Sequence, residues 1–181
     1  MKKLALGLVL AVLLLAIPAT AFAQVENWDG NVHKGDFMAF AGVGFGGYGF
    51  SIVPGAEWVF ADWKVGDVVP LAFGVSAKGA INFYSSWWTS FGVGAFLTGH
   101  LGLGGLDIPE FLQKFDFYAN LGLGLSWFIY SGGWEPYGNF RIGFASSEGV
   151  AYYFTDKFAA YAEHNYWAYP NNGVIGMLFK F

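Results

Sequence analysis

The sequence predicts an all-β fold, namely a transmembrane antiparallel β-barrel of eight strands, with ten strands as the alternative. Three observations support this prediction. The chain is 55% hydrophobic and only 12% charged, whereas a soluble domain has about 25% charged residues. Beyond the N-terminal segment, no apolar run reaches the roughly 18 residues that a spanning helix needs. Large apolar residues instead alternate with small or polar ones, and in lipid only a closed barrel satisfies every backbone group of such strands.

Residues 1–23 have the pattern of a cleaved signal peptide. Two lysines precede an apolar run that ends at Ile17, and a small-x-small cleavage site ends at Ala23. The run is short for a spanning helix, and a retained N-terminal anchor is the alternative. We expect residues 24–181 to form a single domain, the outer-membrane barrel.

Composition excludes several other classes. The chain has no Cys, so it predicts neither a disulfide framework nor a lipidated thiol. Its formal net charge of −4 argues against a nucleic-acid partner, which would need a basic face. The three His residues show no His-x-x-x-His spacing, so we predict no metal site. We also expect no cofactor.

The alternation is most regular in Leu71–Tyr84. Its odd positions are mainly large apolar residues, and its even positions are small or polar, including Ser76 and Lys78. The same period of two recurs in 91–101 and 115–127. A helix is disfavoured because glycine, which fills many of the small positions, costs about 1 kcal/mol in a helix interior. In a narrow barrel, inward glycines leave room for larger neighbours.

Turn and loop composition divides the chain into eight predicted strands. They cover residues 36–46, 52–61, 71–83, 88–101, 115–129, 137–154, 158–168 and 173–181. We expect residues 107–114 to form one helical turn outside the sheet. The predicted extracellular loops are short, which argues against a large adhesive surface. A surface interaction protein is the third functional alternative.

The last strand ends in an aromatic residue, Phe181. Together with Gly176 and Phe179 it matches the pattern polar-x-Gly-x-x-aromatic-x-Phe, although Val174 stands at the polar position. This segment resembles the C-terminal signal by which outer-membrane barrels are recognised for insertion. The stretch 149–167, with its Gly-x-x-Tyr, Thr-Asp turn and Ala-Glu, resembles the penultimate hairpin of the same barrels.

In layout, the mature chain resembles the small eight-stranded outer-membrane β-barrels of the OmpA, OmpX and OmpW type. The resemblance implies a location in the outer membrane of a diderm bacterium. It implies outer-membrane lipid as a partner and, through the C-terminal strand, the barrel-assembly machinery. It also implies a mainly structural protein, or a narrow or gated conduit or binder for small hydrophobic molecules. In either role, the lumen would be plugged by side chains.

Ionisable residues with inward parity predict how the lumen is filled. They are Glu57, Lys78, His100, Arg141 and Glu163. An unpaired charge in a narrow barrel is costly, so we predict that the two cations, Lys78 and Arg141, pair with the two glutamates in one network. We expect His100 to be hydrogen-bonded in the lumen. Four inward aromatic residues either line a small hydrophobic pocket or belong to the core: Phe40, Phe96, Tyr118 and Tyr161.

An alternative function depends on polar residues of outward parity. A short turn at Thr155–Lys157 places Glu148 opposite His164, with Ser146 on the same lipid-facing side. Outer-membrane lipid-A deacylases use a Ser-His-Glu set on their lipid-facing wall, so these residues would be the catalytic set of a similar hydrolase. A β-bulge at Ser146 and Ser147 would instead turn Glu148 away from lipid. The sequence therefore leaves enzymatic activity open.

Overall fold

The computed structural model describes residues 30–46, 49–66, 68–85, 88–130, 137–166 and 172–181. The predicted signal peptide, residues 1–23, lies outside the described residues. Every strand pairs antiparallel with the next one in sequence, and β8 pairs with β1 to close the ring. The predicted eight-stranded barrel is therefore confirmed, and the ring closes without the two further strands of the alternative.

The strands agree closely with those predicted. They are β1 (Phe37–Gly46), β2 (Gly49–Val65), β3 (Val69–Ser85), β4 (Trp88–Gly102), β5 (Phe115–Tyr130), β6 (Tyr137–Thr155), β7 (Phe158–Asn165) and β8 (Asn172–Lys180). A short helix, α1 (Glu110–Gln113), lies between β4 and β5, where a helical turn was expected. In the part of the chain that the structure describes, no helix is long and apolar enough to span a membrane.

The connection between β2 and β3 is tighter than the sequence predicts. Turn composition from Asp62 to Pro70 predicts a long loop, but the two strands stay paired until Val65 faces Val69. Gly66 begins the turn with a φ of 61°, a conformation that glycine adopts without steric cost. Cross-strand pairing therefore overrides the local loop propensity at this end of the barrel.

The two faces of the wall reverse the polarity of a soluble protein. Outward side chains such as Val93, Leu97 and Leu123 are more than half exposed. Inward side chains include charged residues that are almost fully buried, such as Lys78 and Asp116. An apolar outside around a polar inside is the pattern of a transmembrane barrel, whose outer face contacts lipid instead of water.

The strands are uneven in length. Strands β1, β7 and β8 have 10, 8 and 9 residues, whereas β6 has 19. The first part of β6, up to Ser146, pairs in the sheet only with β5, because the ladder with β7 begins at Ser147 and Asn165. Among the described residues, β7, β8 and β1 are therefore shorter than β2 to β6.

The segment 30–36 binds three elements at the end of the barrel that holds the C-terminus. Asn31 donates to the Gln113 carbonyl (2.9 Å) and accepts from Lys180 Nζ at its own carbonyl (2.8 Å). The Lys34 amide donates to Asp62 (3.0 Å). Burial and the nearby Lys180 ammonium lower the pKa of the His33 imidazole, which favours its neutral form.

Candidate functional site

The middle of the lumen holds a buried polar group that we name the lysine cluster. It contains Ser76, Lys78, Thr98, Asn120, Ser147 and Glu163, contributed by five strands from β3 to β7. The Lys78 ammonium pairs with the Glu163 carboxylate and donates to Ser147 Oγ (2.9 Å). Asn120 links Ser147 to Thr98, at 2.9 and 2.8 Å. Lys78 and Glu163, which alternation predicts to face inward, are therefore in direct contact as opposite charges.

Three of the four inward aromatic residues surround the Lys78 ammonium. Its Nζ lies 5.7 Å from the ring centroid of Phe40, 5.5 Å from that of Phe96 and 5.9 Å from that of Tyr118. A cation at such distances is attracted to the aromatic face, and the attraction grows when water is excluded. These rings therefore pack as part of the lysine cluster.

A second group, which we name the histidine cluster, lies nearer the end of the barrel that holds the C-terminus. It contains Glu57 on β2, His100 on β4 and Asp116 on β5. His100 Nε2 is 2.8 Å from Glu57 and Nδ1 is 2.7 Å from Asp116. Both ring nitrogens must donate if both carboxylates are ionised, so the geometry favours an imidazolium between two anions.

Asp116 is a member of the histidine cluster that sequence reasoning missed. Its inward parity is visible in the alternation of 115–127, but it stands at the start of a strand beside a predicted loop. The pairing of His100 with Tyr118 places the imidazole within reach of the Asp116 carboxylate. Alternation correctly places Asp116 on the inner face of the barrel. Only the register of β4 against β5 shows that its partner is His100.

Arg141 requires a correction to the predicted network. It faces Ser126 across β5, which is the inward parity expected, but its side chain is exposed. It lies on the part of β6 that precedes the ladder with β7. The structure therefore does not bring Arg141 to the two glutamates. Glu163 pairs with Lys78, and Glu57 pairs with His100.

A small cavity separates the two clusters. It has a volume of about 20 Å³, and its lining includes Glu57, Lys78, Tyr161 and Leu178. A single water needs roughly 10–15 Å³, so the space holds about one water. The buried Tyr161 hydroxyl has no hydrogen-bond partner among the described residues.

Gly176, predicted as part of the assembly signal, also has a packing role. A Cβ at Gly176 would lie 2.3 Å from the Ala41 carbonyl and 2.6 Å from the Tyr161 ring. Gly42 has the same relation to the Tyr161 hydroxyl, at 2.6 Å. Two glycines on adjacent strands thus make the space that the Tyr161 side chain occupies.

The other two residues of the predicted assembly signal lie on the outward face of the last strand. Phe179 is 52% exposed and Phe181 is 74% exposed. The Phe181 amide donates to the Phe37 carbonyl (2.9 Å), so the terminus is tied to β1. Both rings are available to a partner in the membrane, and their role as a signal remains a prediction.

The outward polar residues of β6 and β7 are placed as the register argument predicts. Glu148 faces His164, and its carboxylate lies 3.2 Å from His164 Nδ1. The ladder is regular from Ser147 to Tyr153, and its irregularity lies at Phe154, so no bulge turns Glu148 inward. Both side chains are about half exposed on the lipid-facing side.

Ser146 does not join this pair. It shares the outward face, and its carbonyl accepts from the Tyr166 amide (2.8 Å). The ring of Tyr166 packs edge-on against His164 at 4.3 Å. Among the described residues, the structure shows no hydrogen bond between Ser146 and His164. The arrangement is a hydrogen-bonded Glu–His pair next to an aromatic ring, without an activated hydroxyl.

Solved structures match this fold, although no protein-family model and no curated protein sequence matches the chain. The N-terminal β-barrel domain of Pseudomonas aeruginosa OprF aligns with a TM-score of 0.55 and 16% identity, covering 82% of this chain and 98% of that one. Ail, the attachment invasion locus protein of Yersinia pestis, aligns with a TM-score of 0.51 and 14% identity, covering 82% and 99%.

These similarities define the class of fold. The chain has the fold of the small eight-stranded outer-membrane β-barrels, as the sequence resemblance predicts. The outer membrane enzyme PagL also aligns, with 14% identity over 81% of this chain and 98% of that one, but its TM-score of 0.48 carries no argument about activity. At these identities the comparisons identify architecture alone.

Proposed function

We propose that this chain is an integral outer-membrane barrel with a mainly structural role, whose lumen is closed by its own side chains. The observation that carries the proposal is the stacking of the lysine and histidine clusters, with only about 20 Å³ left between them. An eight-stranded barrel has an interior just wide enough for side chains to fill. Ions would have to displace a buried ion pair in order to pass.

Planar-bilayer recording of the refolded protein tests this closure. We expect no steady conductance from the wild type. The double variant K78A/E163A should conduct, because it removes the ion pair that fills the middle of the lumen. Glu148→Gln is the matched control, since it changes a charged residue on the outside of the same barrel and should remain closed. Steady conductance in the wild type would refute the proposal.

A more specific alternative is a narrow conduit, or a lumen binding site, for small hydrophobic molecules. Ligand pockets usually enclose about 300–1,000 Å³, far more than the cavity beside Tyr161. Three of the four aromatic residues predicted for such a pocket already surround Lys78. The geometry therefore supports closure over binding within the lumen.

A lipid-facing hydrolase is a second candidate, favoured by the Glu148–His164 hydrogen bond. A carboxylate that orients an imidazole is two parts of a nucleophile-activating set. Catalysis would need Ser146 to reach the imidazole after the Tyr166 ring moves. A lipid-A deacylation assay tests this role. Activity that is lost in both Ser146→Ala and His164→Ala would establish it, and no activity in the wild type would exclude lipid A as the substrate.

We also propose that the chain is exported to the outer membrane and inserted through recognition of its last strand. Deleting Phe181 should lower the amount of barrel in the membrane fraction more than it lowers the stability of the refolded barrel. The reason is that β8 ends at Lys180, so the deletion costs only the hydrogen bond and ring contact that Phe181 makes with Phe37 beyond the ladder. Equal membrane levels of the full-length and shortened chains would contradict this role.

A further inference from the structure

A group of polar side chains interrupts the apolar outer face of the barrel on β6 and β7. The Glu148 carboxylate lies 3.2 Å from His164 Nδ1 and also accepts a hydrogen bond from the Tyr166 hydroxyl. We name these three residues the outer polar site. Apolar or aromatic outward residues of β6 flank the site, three on each side along the strand: Phe140, Ile142, Phe144, Val150, Tyr152 and Phe154.

The register of the closed ring fixes the tilt of the strands. From Phe45, pairing through β2, β3, β4 and β5 leads to Gly138 on β6. Pairing through β8 and β7 leads instead to Glu148 on the same strand. These two positions are ten residues apart. Over eight strands spaced about 4.8 Å apart, this stagger corresponds to a tilt of about 40°.

The outer polar site lies near the middle of the membrane. Glu148 is eight residues from Phe140 and six from Phe154. At about 3.3 Å per residue and a tilt of about 40°, these separations correspond to roughly 20 and 15 Å of depth. Their total is close to the roughly 30 Å of the hydrocarbon core. His164 is the direct cross-strand neighbour of Glu148, so the two residues differ in depth by only about 3 Å.

A single barrel leaves the outer polar site incomplete. The side chains of Glu148 and His164 are about half exposed, and the acyl chains at this depth offer neither donor nor acceptor. Among the described residues, the structure shows no partner for His164 Nε2. The head groups lie about 15 Å away, so the missing partner is a protein group. The same depth counts against the hydrolase candidate, whose ester substrate would lie near the head groups.

The missing partner has a chemistry that this chain itself supplies. A protonated His164 needs an acceptor at Nε2, and a carboxylate such as that of Glu148 can accept further hydrogen bonds. A two-fold axis along the membrane normal, between these residues, would bring each Glu148 opposite the other barrel's His164 without changing the depth of either. The cross-strand row continues to Ala119 on β5 and Gly173 on β8. Small residues at these positions let two walls approach closely.

We propose that this chain forms a two-fold dimer in the membrane through the outer polar site, with each His164 imidazole between its own Glu148 and the partner's Glu148. The inference rests on the proposed membrane location. Two imidazolium ions then alternate with two carboxylates, so the ring has no net charge and every imidazole nitrogen donates. The interface is isologous, because the same surface of each barrel complements itself.

Disulfide cross-linking in proteoliposomes that contain only the refolded chain tests the proposal, because the natural sequence has no Cys. Val150 is the next outward residue after Glu148 on β6. The tilt of the strand places it below the space between Glu148 and His164, close to the two-fold axis, so V150C should form a covalent dimer on oxidation. Val75 is an outward valine on β3, which pairs with neither β6 nor β7. V75C is therefore the matched control and should stay monomeric.

Exchanging the two side chains tests the contact itself. Added to V150C, Glu148→His places imidazole opposite imidazole and should lower the cross-linked fraction about tenfold. Adding His164→Glu as well restores one acid and one imidazole per barrel and should recover the dimer.

Three outcomes would overturn the proposal: a folded V150C that stays monomeric, equal cross-linking of V150C and V75C, or a cross-linked fraction that Glu148→His leaves unchanged. The heat-dependent gel shift of each sample reports whether the barrel has folded. Failure of the barrel, on which the proposed function depends, is thus distinguished from failure of the dimer.

Discussion

The lysine cluster and the histidine cluster compensate buried charge in different ways. Both hold charge inside a narrow barrel, where leaving one partner uncompensated is expensive. The lysine cluster has one cation, one anion, a chain of neutral hydroxyl and amide groups, and three aromatic rings. The histidine cluster has one imidazole between two carboxylates, Glu57 and Asp116. Lys78 is paired with one carboxylate, whereas His100 is paired with two. The comparison predicts unequal responses to mutation.

The largest effect is expected in the lysine cluster. Lys78→Met leaves Glu163 buried without its cation, and breaking a buried pair costs about 3–5 kcal/mol. Urea unfolding of the refolded barrel in detergent measures this loss. The double variant K78M/E163Q should recover part of it, because the uncompensated charge is gone. Lys157→Ala, in the exposed turn between β6 and β7, is the control and should change stability by less than about 0.5 kcal/mol. Strictly additive effects of the two cluster changes would show that the pair is not coupled.

The second largest loss of stability is expected beside the cavity between the clusters. Gly176→Ala would push a methyl group into the Ala41 carbonyl and the Tyr161 ring, and overpacking of this kind costs about 1–3 kcal/mol. Because Tyr161 lines the cavity between the clusters, its displacement should disturb both. Gly143→Ala is the matched control, since a Cβ there meets nothing within 4 Å. An equal fall in the urea midpoint for both variants would reject the packing role of Gly176.

Much of this architecture is predictable because the period of two is local. Alternation alone places Lys78, Glu163 and His100 on the inner face, and it places Glu148 and His164 on the outer one. Which inward residues meet is a different matter, since it depends on the height of each residue in a closed and staggered ring. Arg141 shows the limit: its parity is inward, but it lies outside the ladder with β7 and its side chain is exposed.

The outer face of β7 shows the same limit. Two outward alanines on β7 look unremarkable in the sequence, because small residues are common in every strand. Only the pairing shows that four larger side chains flank them. The turn before β7 gives a similar lesson. The predicted turn and the observed bulge at Phe154 differ in detail, but both place Glu148 opposite His164.

The histidine cluster should tolerate the loss of one charge. Asp116→Asn keeps an acceptor for His100 Nδ1 and removes one of two carboxylates from the buried site. Glu57 remains as the counter-ion of the imidazolium. We expect a stability change of about 1 kcal/mol or less, close to that of a single hydrogen bond and well below that of Lys78→Met. A loss as large as that of Lys78→Met would show that the imidazole needs both carboxylates and would remove the contrast between the clusters.

The smallest expected effect is a gain in stability instead of a loss. The Tyr161 hydroxyl is buried, has no hydrogen-bond partner among the described residues, and lies against the backbone of Gly42. A buried polar group without a partner costs about 1–3 kcal/mol. Tyr161→Phe removes that group and keeps the ring in its glycine-lined space, so stability in urea should stay the same or rise by up to about 1 kcal/mol. A water in the small cavity would reduce the gain, because the hydroxyl would then be satisfied. Clear destabilisation would show that the hydroxyl is bonded across the cavity, and the two clusters would then form one continuous network.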